Sequence, residues 1–396
     1  MSVSEKIKTF IENGGWIRKM FESGITLKQE FGEDNVFDLS LGNPIIEPPS
    51  QFQSALLKLA QNPIPGMHRY MPNAGYIETR EAIAKTINSD SGLSLTSQHL
   101  VMTCGAAAGL NVILKSLLNT GEEVIILSPY FVEYEYYIDN HSGVSIVVPT
   151  NSDFTPDLLA LEKAISPLTK AIIINSPNNP TGVVYGESTY SNISNLLNKK
   201  QNEYKTKIYL ISDEPYRKIT FSGVQCPNWF NYYDNSLVVH SHAKDLALPG
   251  ERIGYIAVSP KSYDAETLIN ALTFSNRILG FVNAPALMQN LIKSLQTASV
   301  DSSIYERKMN FLYNELTNMG YEIIKPQGAF YLFPKSPLTD DSAFSEELLK
   351  ENVLVVPGRG FGTPGYFRIS YCVEDKVIEG SLHGFRKMAQ KYNLKS

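Results

Sequence analysis

The sequence predicts an α/β fold: a large domain on a mostly parallel, mixed sheet sandwiched by helices, plus a smaller α+β domain formed by the N-terminal segment and the C-terminal part. Three observations carry this prediction. Between about residues 100 and 260, short apolar runs alternate with longer amphipathic stretches, the pattern of strands joined by covering helices. Polar, breaker-rich peptides follow many of those runs at their carboxyl ends, where open parallel sheets bind ligands. Beyond about residue 290 the alternation stops and helices mix with short strand-like pieces.

Taken in order, the opening MSVSEKIKTFIENGGW reads as a helix with charges where a secretion signal needs an apolar stretch. No later apolar span is long enough to cross a bilayer, so a cytoplasmic protein without membrane contact is expected. Trp16 and Arg18 are candidates for an N-terminal lid. FDLSLGNP follows, and residues 1–45 are expected to pack on the small domain. The large domain, 46–290, holds the strand candidates LVMTC (100–104), EVIILS (123–128), VSIVVP (144–149), KAIIINS (170–176), KIYLISD (207–213), LVVHS (237–241) and IGYIAVS (253–259). AAGLNVILKSLLN and STYSNISNLLNKKQ carry helical spacing between them. The small domain, 291–396, opens with the helix SIYERKMNFLYNELTNMG and continues through GAFYLFP, NVLVVPG and GYFRISYC.

Composition narrows the function. Hydrophobic residues make up 43% and charged residues 19%, ample for a core. A net charge of −5 without a basic cluster argues against a nucleic-acid partner. Cys104, Cys226 and Cys372 are far apart and odd in number, which fits reduced thiols and neither a disulfide framework nor a metal site.

The strand-end peptides carry chemistry. AIII ends in NSPNNPTG, where two prolines and Gly182 build a stiff shelf at a strand's carboxyl end. SDEPY puts Asp213 at another strand end with Tyr216 three residues on; a helix N-cap is the alternative use of that aspartate. SHAKDLALPGER puts Lys244 just past a strand with Arg252 downstream. TCGAAAG leads from a strand into a helix, so the N–H groups of Gly105, Ala106 and Ala107 can meet an anion at a helix N-terminus.

In this order NNPTG, SDEPY and SHAK with Arg252 resemble the fold-type I pyridoxal-phosphate enzymes, and among them the class I/II, aspartate aminotransferase-like proteins. The resemblance runs from SLGNP at 40 to FRISYC at 367. It implies pyridoxal 5'-phosphate as cofactor. Lys244 would be its covalent anchor and, once released, the base moving a proton at the substrate α-carbon. Asp213 would keep the ring nitrogen protonated. Asn179 and Tyr216 would hydrogen-bond the phenolic oxygen, and Phe131 would stack on the ring. Ser241 and Arg252 would join the helix N-terminus at the phosphate, with Tyr70 reaching over from the neighbouring subunit of a homodimer. Arg368 would grip the substrate α-carboxylate, with the backbone at Gly42 closing over it and Asn179 alongside.

The implied activity is amino-acid transamination from an L-amino acid to a 2-oxo acid. Two departures bear on it. Ala243 precedes the lysine where many relatives carry a phosphate-binding serine, and Ala107 stands where some aspartate-using relatives carry a lysine. Arg277 in SNRILGFVNAPA is the remaining candidate for reading an aspartate or glutamate side chain across the dimer interface, with a surface or interface salt bridge as its alternative use. His242 reads as a packed strand-end histidine. The alternatives are a β-elimination lyase cleaving C–S bonds on the same fold, since fold does not fix which bond breaks, and a cofactor-sensing regulator, for which a basic DNA-binding domain is lacking.

Overall fold

A computed structural model describes residues 3–13 and 16–395, and the side chains of Trp16 and Arg18 lie outside what it describes. Its strands in chain order are β1 (Phe37–Asp38), β2 (Leu100–Thr103), β3 (Glu123–Ser128), β4 (Val144–Pro149), β5 (Thr169–Asn175), β6 (Tyr209–Asp213), β7 (Ser236–Ser241), β8 (Gly254–Val258), β9 (Tyr331–Leu332), β10 (Val353–Leu354), β11 (Val356–Pro357) and β12 (Phe367–Ser370). Seven of them form one sheet in the order β2-β8-β7-β6-β5-β3-β4. All neighbours pair parallel except β8, which runs antiparallel to both β2 and β7.

The central strands are buried along their length because they are apolar on both faces: every residue of β6, β7 and β8 is buried. Such strands need a helix layer on each side. Helix Gly105–Leu117 packs on β7 and β8, and so closely that a Cβ at Gly109 would lie 2.8 Å from Cγ1 of Val239. Helix Ala265–Ile278 packs on that helix in turn, where the Ser116 hydroxyl lies 2.9 Å from that of Ser275. A separate apolar cluster on the opposite face joins Ile172, Ile174, Ile193, Leu197, Leu210 and Trp229.

The C-terminal part builds a three-stranded antiparallel sheet, β11-β12-β9. The chain's beginning joins it through β1, which pairs parallel with β10 in the register Phe37↔Val353. The apolar cluster beneath these strands also takes in Tyr216, Ile219 and Phe221, which follow β6 of the large sheet. The two sheets therefore meet where the loop after β6 enters the second core, and that junction positions the site. No helix among the described residues is long and apolar enough to cross a membrane.

Candidate active site

Three strands of the large sheet end side by side: β5 at Asn175, β6 at Asp213 and β7 at Ser241. Beyond them opens a cleft of about 270 Å³, closed from the other side by Gly42, Tyr331 and Arg368. Its walls include Ala106, Ala107, Phe131, Asn179, Asp213, Tyr216, Ser241, Lys244 and Arg252. The sheet topology thus gathers most of the residues singled out from sequence at one point.

Asp213 is 5% exposed and its Oδ2 accepts the Tyr134 hydroxyl at 2.6 Å. Its Oδ1 is buried without a partner, a costly state for a carboxylate. Burial, and next the charge of Glu214, push its pKa up to about 6, although the Tyr134 bond and His240 pull the other way. The chain turns after Asp213 and no helix follows, so the N-cap alternative fails. Behind it, Asn175 fixes the shelf: its Nδ2 donates to the Asp213 carbonyl at 2.8 Å and its Oδ1 accepts the Asn179 N–H at 2.7 Å.

The shelf itself is held from outside. Gly182 has φ +71°, and a Cβ there would lie 2.6 Å from Pro326, so only glycine fits under the neighbouring loop. Gln327 and Gly328 both donate their N–H groups to the Gly182 carbonyl. Asn179 then presents its amide to Arg368, whose Nη1 donates to its Oδ1 at 3.1 Å. That contact leaves the Asn179 Nδ2 as its free donor group. Arg368 is 3% exposed, donates Nη2 to the Ser40 carbonyl, and keeps a buried Nε without a partner.

Lys244 sits on a one-turn helix, His242–Asp245, which Ser241 caps by accepting the Ala243 N–H. Its Nζ donates to the Gly42 carbonyl at 2.6 Å. Burial brings its pKa down to about 8; Arg368 and Arg252 reinforce the fall and Cys372 opposes it. A reactive amine close to neutrality is what imine chemistry requires.

At the cleft's other end, helix Gly105–Leu117 begins, and Ala106 and Ala107 of its first turn line the wall. Gly105 has φ +82°, and a Cβ there would come 2.9 Å from Nη2 of Arg252. A guanidinium against a helix N-terminus, with no side chain between, is a pairing suited to an anion.

Gly105 stands behind the lining, against Arg252, and two expected side chains are absent from this cleft. Tyr70 is 92% exposed and Arg277 lies exposed in the last turn of helix Ala265–Ile278. His242 is buried with Nδ1 3.2 Å from both carboxylate oxygens of Asp245, and is not among the cleft residues. Sequence reasoning missed Tyr134, Asn175 and Tyr331. Tyr134 stands three residues after Phe131, at the start of helix Glu133–Asp139, and Asn175 opens the peptide that ends in Asn179. The adjacency to Asn179 is the signal for Asn175, whereas Tyr134 and Tyr331 read as core aromatics.

The likeness to known proteins agrees with this geometry. Residues 34–383 match the profile of the family described as Aminotransferase class I and II. The aspartate/prephenate aminotransferase of Thermus thermophilus is 33% identical over 358 residues, covering 88% of this chain and 90% of that one. The aromatic-amino-acid aminotransferase 2 of Thermococcus litoralis is 29% identical over the whole of both chains. Among solved structures, an amino transferase from Eubacterium rectale superposes with a TM-score of 0.96 at 40% identity, covering 99% of this chain and 100% of that one. Aspartate aminotransferase from Thermus thermophilus with maleate gives a TM-score of 0.86 at 28% identity, covering 98% and 99%.

Proposed function

The chain belongs to the class I and II aminotransferases, pyridoxal-phosphate-dependent enzymes of amino-acid transamination, and on that premise we propose how its residues divide the work. The cofactor, when bound, supplies an electron sink for the α-carbon of an amino acid. The cleft suits it at both ends. The unpartnered Oδ1 of Asp213 is a ready acceptor for a cationic ring nitrogen. The Arg252–Gly105 corner, with Ser241 beside it, suits a phosphate.

Lys244 would anchor the cofactor covalently and, when freed, would move a proton at the α-carbon. Asn179 Nδ2 and the Tyr216 hydroxyl would hold the phenolic oxygen, Phe131 would cover the ring, and Arg368 would grip the substrate carboxylate, with Gly42 on the same wall. Tyr70 and Arg277 serve the partner's site in a homodimer, Tyr70 at the phosphate and Arg277 at an aspartate or glutamate side chain. The exposure of Tyr70, 92%, supports a role outside its own subunit. The division into 1–45, 46–290 and 291–396, and a cytoplasmic location, belong to the same reading. The single observation that carries it is an unpartnered buried carboxylate oxygen in the cleft that also holds a lysine with pKa about 8.

The test is absorbance of the cofactor-loaded protein as single L-amino acids are added without an acceptor. Conversion of the visible band in one stoichiometric turn is expected, and the fastest amino acids identify the donor class. A band that persists while ammonia and a 2-oxo acid accumulate would sink the proposal.

A further inference from the structure

Tyr331 touches three of the residues above. It lies on β9, beside Arg368-bearing β12 in the antiparallel register Ser370↔Tyr331. Its hydroxyl is 2.9 Å from that of Tyr216. The Arg368 guanidinium lies over its ring, 4.7 Å from the centroid. Its hydroxyl also fills the space beside Gly42, where a Cβ would come within 2.0 Å of it. The Gly42 carbonyl is the one that Lys244 holds.

We propose that Tyr331 is a positioning residue for transamination: its hydroxyl steers the Tyr216 hydrogen bond into the cleft, and its ring face fixes the Arg368 guanidinium. The inference rests on the roles given above to Tyr216 and Arg368. Its logic is donor arithmetic. A hydroxyl has one proton to give, so when Tyr216 donates into the cleft, only Tyr331 can be the donor between the two. That donation polarises the Tyr216 O–H and strengthens what it gives. Both groups keep their protons near neutral pH, because burial drives Tyr331 up to about 12 and Tyr216 well above the usual phenol value. The ring does separate work: a desolvated guanidinium held over an aromatic ring loses rotational freedom before substrate arrives. The Phe361 ring takes the same guanidinium, also at 4.7 Å.

Two variants of the cofactor-loaded enzyme separate the two functions. Tyr331→Phe keeps the ring and removes the hydroxyl; Tyr331→Leu removes both. The carboxylate probe is 2-aminoisobutyrate, an amino acid without an α-hydrogen, whose Kd is read from the visible spectrum. For Tyr331→Phe we expect unchanged probe Kd, kcat down about tenfold, and the midpoint of the pH-dependent visible absorbance raised by roughly half a unit, the loss of one hydrogen bond. For Tyr331→Leu we expect the probe Kd to rise about tenfold as well. A Tyr331→Phe enzyme with wild-type kcat and midpoint overturns the proposal, as does a Tyr331→Phe Kd that rises as far as that of Tyr331→Leu. Should Tyr331→Leu not fold, Tyr331→Phe decides alone. Arg368→Ala is the control on the underlying reading: if it binds the probe like wild type, the site assignment has failed and takes the Tyr331 proposal with it.

Discussion

The Tyr134 hydroxyl donates to Oδ2 of Asp213 at 2.6 Å, while Oδ1 of the same carboxylate is buried with no partner. The tyrosine holds the carboxylate in one orientation and leaves its second oxygen aimed at something the protein does not supply. Asp213→Asn removes the charge that answers a buried cation, a loss of several kcal/mol in such settings, so kcat should fall about a hundredfold or more. Tyr134→Phe removes one hydrogen bond to a charged group and should cost about tenfold. Equal, small effects from the two would show that Asp213 does not carry charge in the reaction.

The same carboxylate makes the cofactor-free protein's stability depend on pH. Its folded pKa, about 6, exceeds the ordinary value of 3.8. Below pH 4 both states hold the proton and Asp213 contributes nothing. Between pH 4 and 6 the folded state binds more protons, so stability falls as pH rises. Above pH 6 the folded state carries the full burial penalty, about 3 kcal/mol. Cofactor-free Asp213→Asn should therefore gain on the wild type by about that amount between pH 4 and 7, read from urea midpoints. A gap that stays flat across this window would rule out the buried, unpaired carboxylate.

Lys244 has a pKa near 8 because it has lost water. An amine with that value is about one-tenth neutral at pH 7, whereas an ordinary lysine is almost wholly charged. The rate at which cofactor-free protein captures pyridoxal phosphate should rise nearly tenfold per unit up to pH 8 and then level. Stopped-flow absorbance gives the profile, and borohydride trapping with mass spectrometry locates the modified residue. A rate still climbing steeply above pH 9 would mean the amine is solvated like any surface lysine. Trapping on another lysine would remove Lys244 from its role.

Much of this site is legible in the amino-acid sequence, and what is not has a common cause. Lys244, Asp213, Asn179 and Arg252 stand at strand ends, where an apolar run meets a polar peptide, and a parallel topology brings such ends together. The strands are legible for the same reason: KAIIIN and YLISD are short apolar runs bounded by polar breakers. Tyr134 and Tyr331 are not, because each acts through a partner far away in the chain, 79 residues for Tyr134 to Asp213 and 115 for Tyr331 to Tyr216. Taken alone, each is an aromatic in an apolar run, indistinguishable from core filling. The direction of β8 is equally silent in its residues, since GYIAV suits a buried strand running either way. Asp213 carries two local readings, and only the turn that replaces a helix after it decides between them.

Arg277 and Tyr70 are the two assigned side chains that the cleft of their own chain does not use. The cations lining that cleft, Lys244, Arg252 and Arg368, already have an anchor, a phosphate and an α-carboxylate to serve under this reading. A second carboxylate on the substrate then has no cation left to it among the described residues lining that cleft, and Ala107 offers none. If Arg277 reaches across from a second copy, Arg277→Ala should reduce kcat/KM for aspartate and glutamate by tenfold to a hundredfold, the range of one charge-assisted hydrogen bond. Alanine and phenylalanine should be affected far less. A shared site has its own readout, because it can be rebuilt from two damaged chains. Mixing Lys244→Ala with Arg277→Ala chains should leave one site per heterodimer with Lys244 and Arg277 both intact, and aspartate turnover should recover to about a quarter of wild type after statistical assortment. No recovery from a sample shown by light scattering to be mixed dimers would mean that Arg277 serves its own subunit or none. An equal loss across all four amino acids would mean that it supports the fold or the interface and reads no side chain.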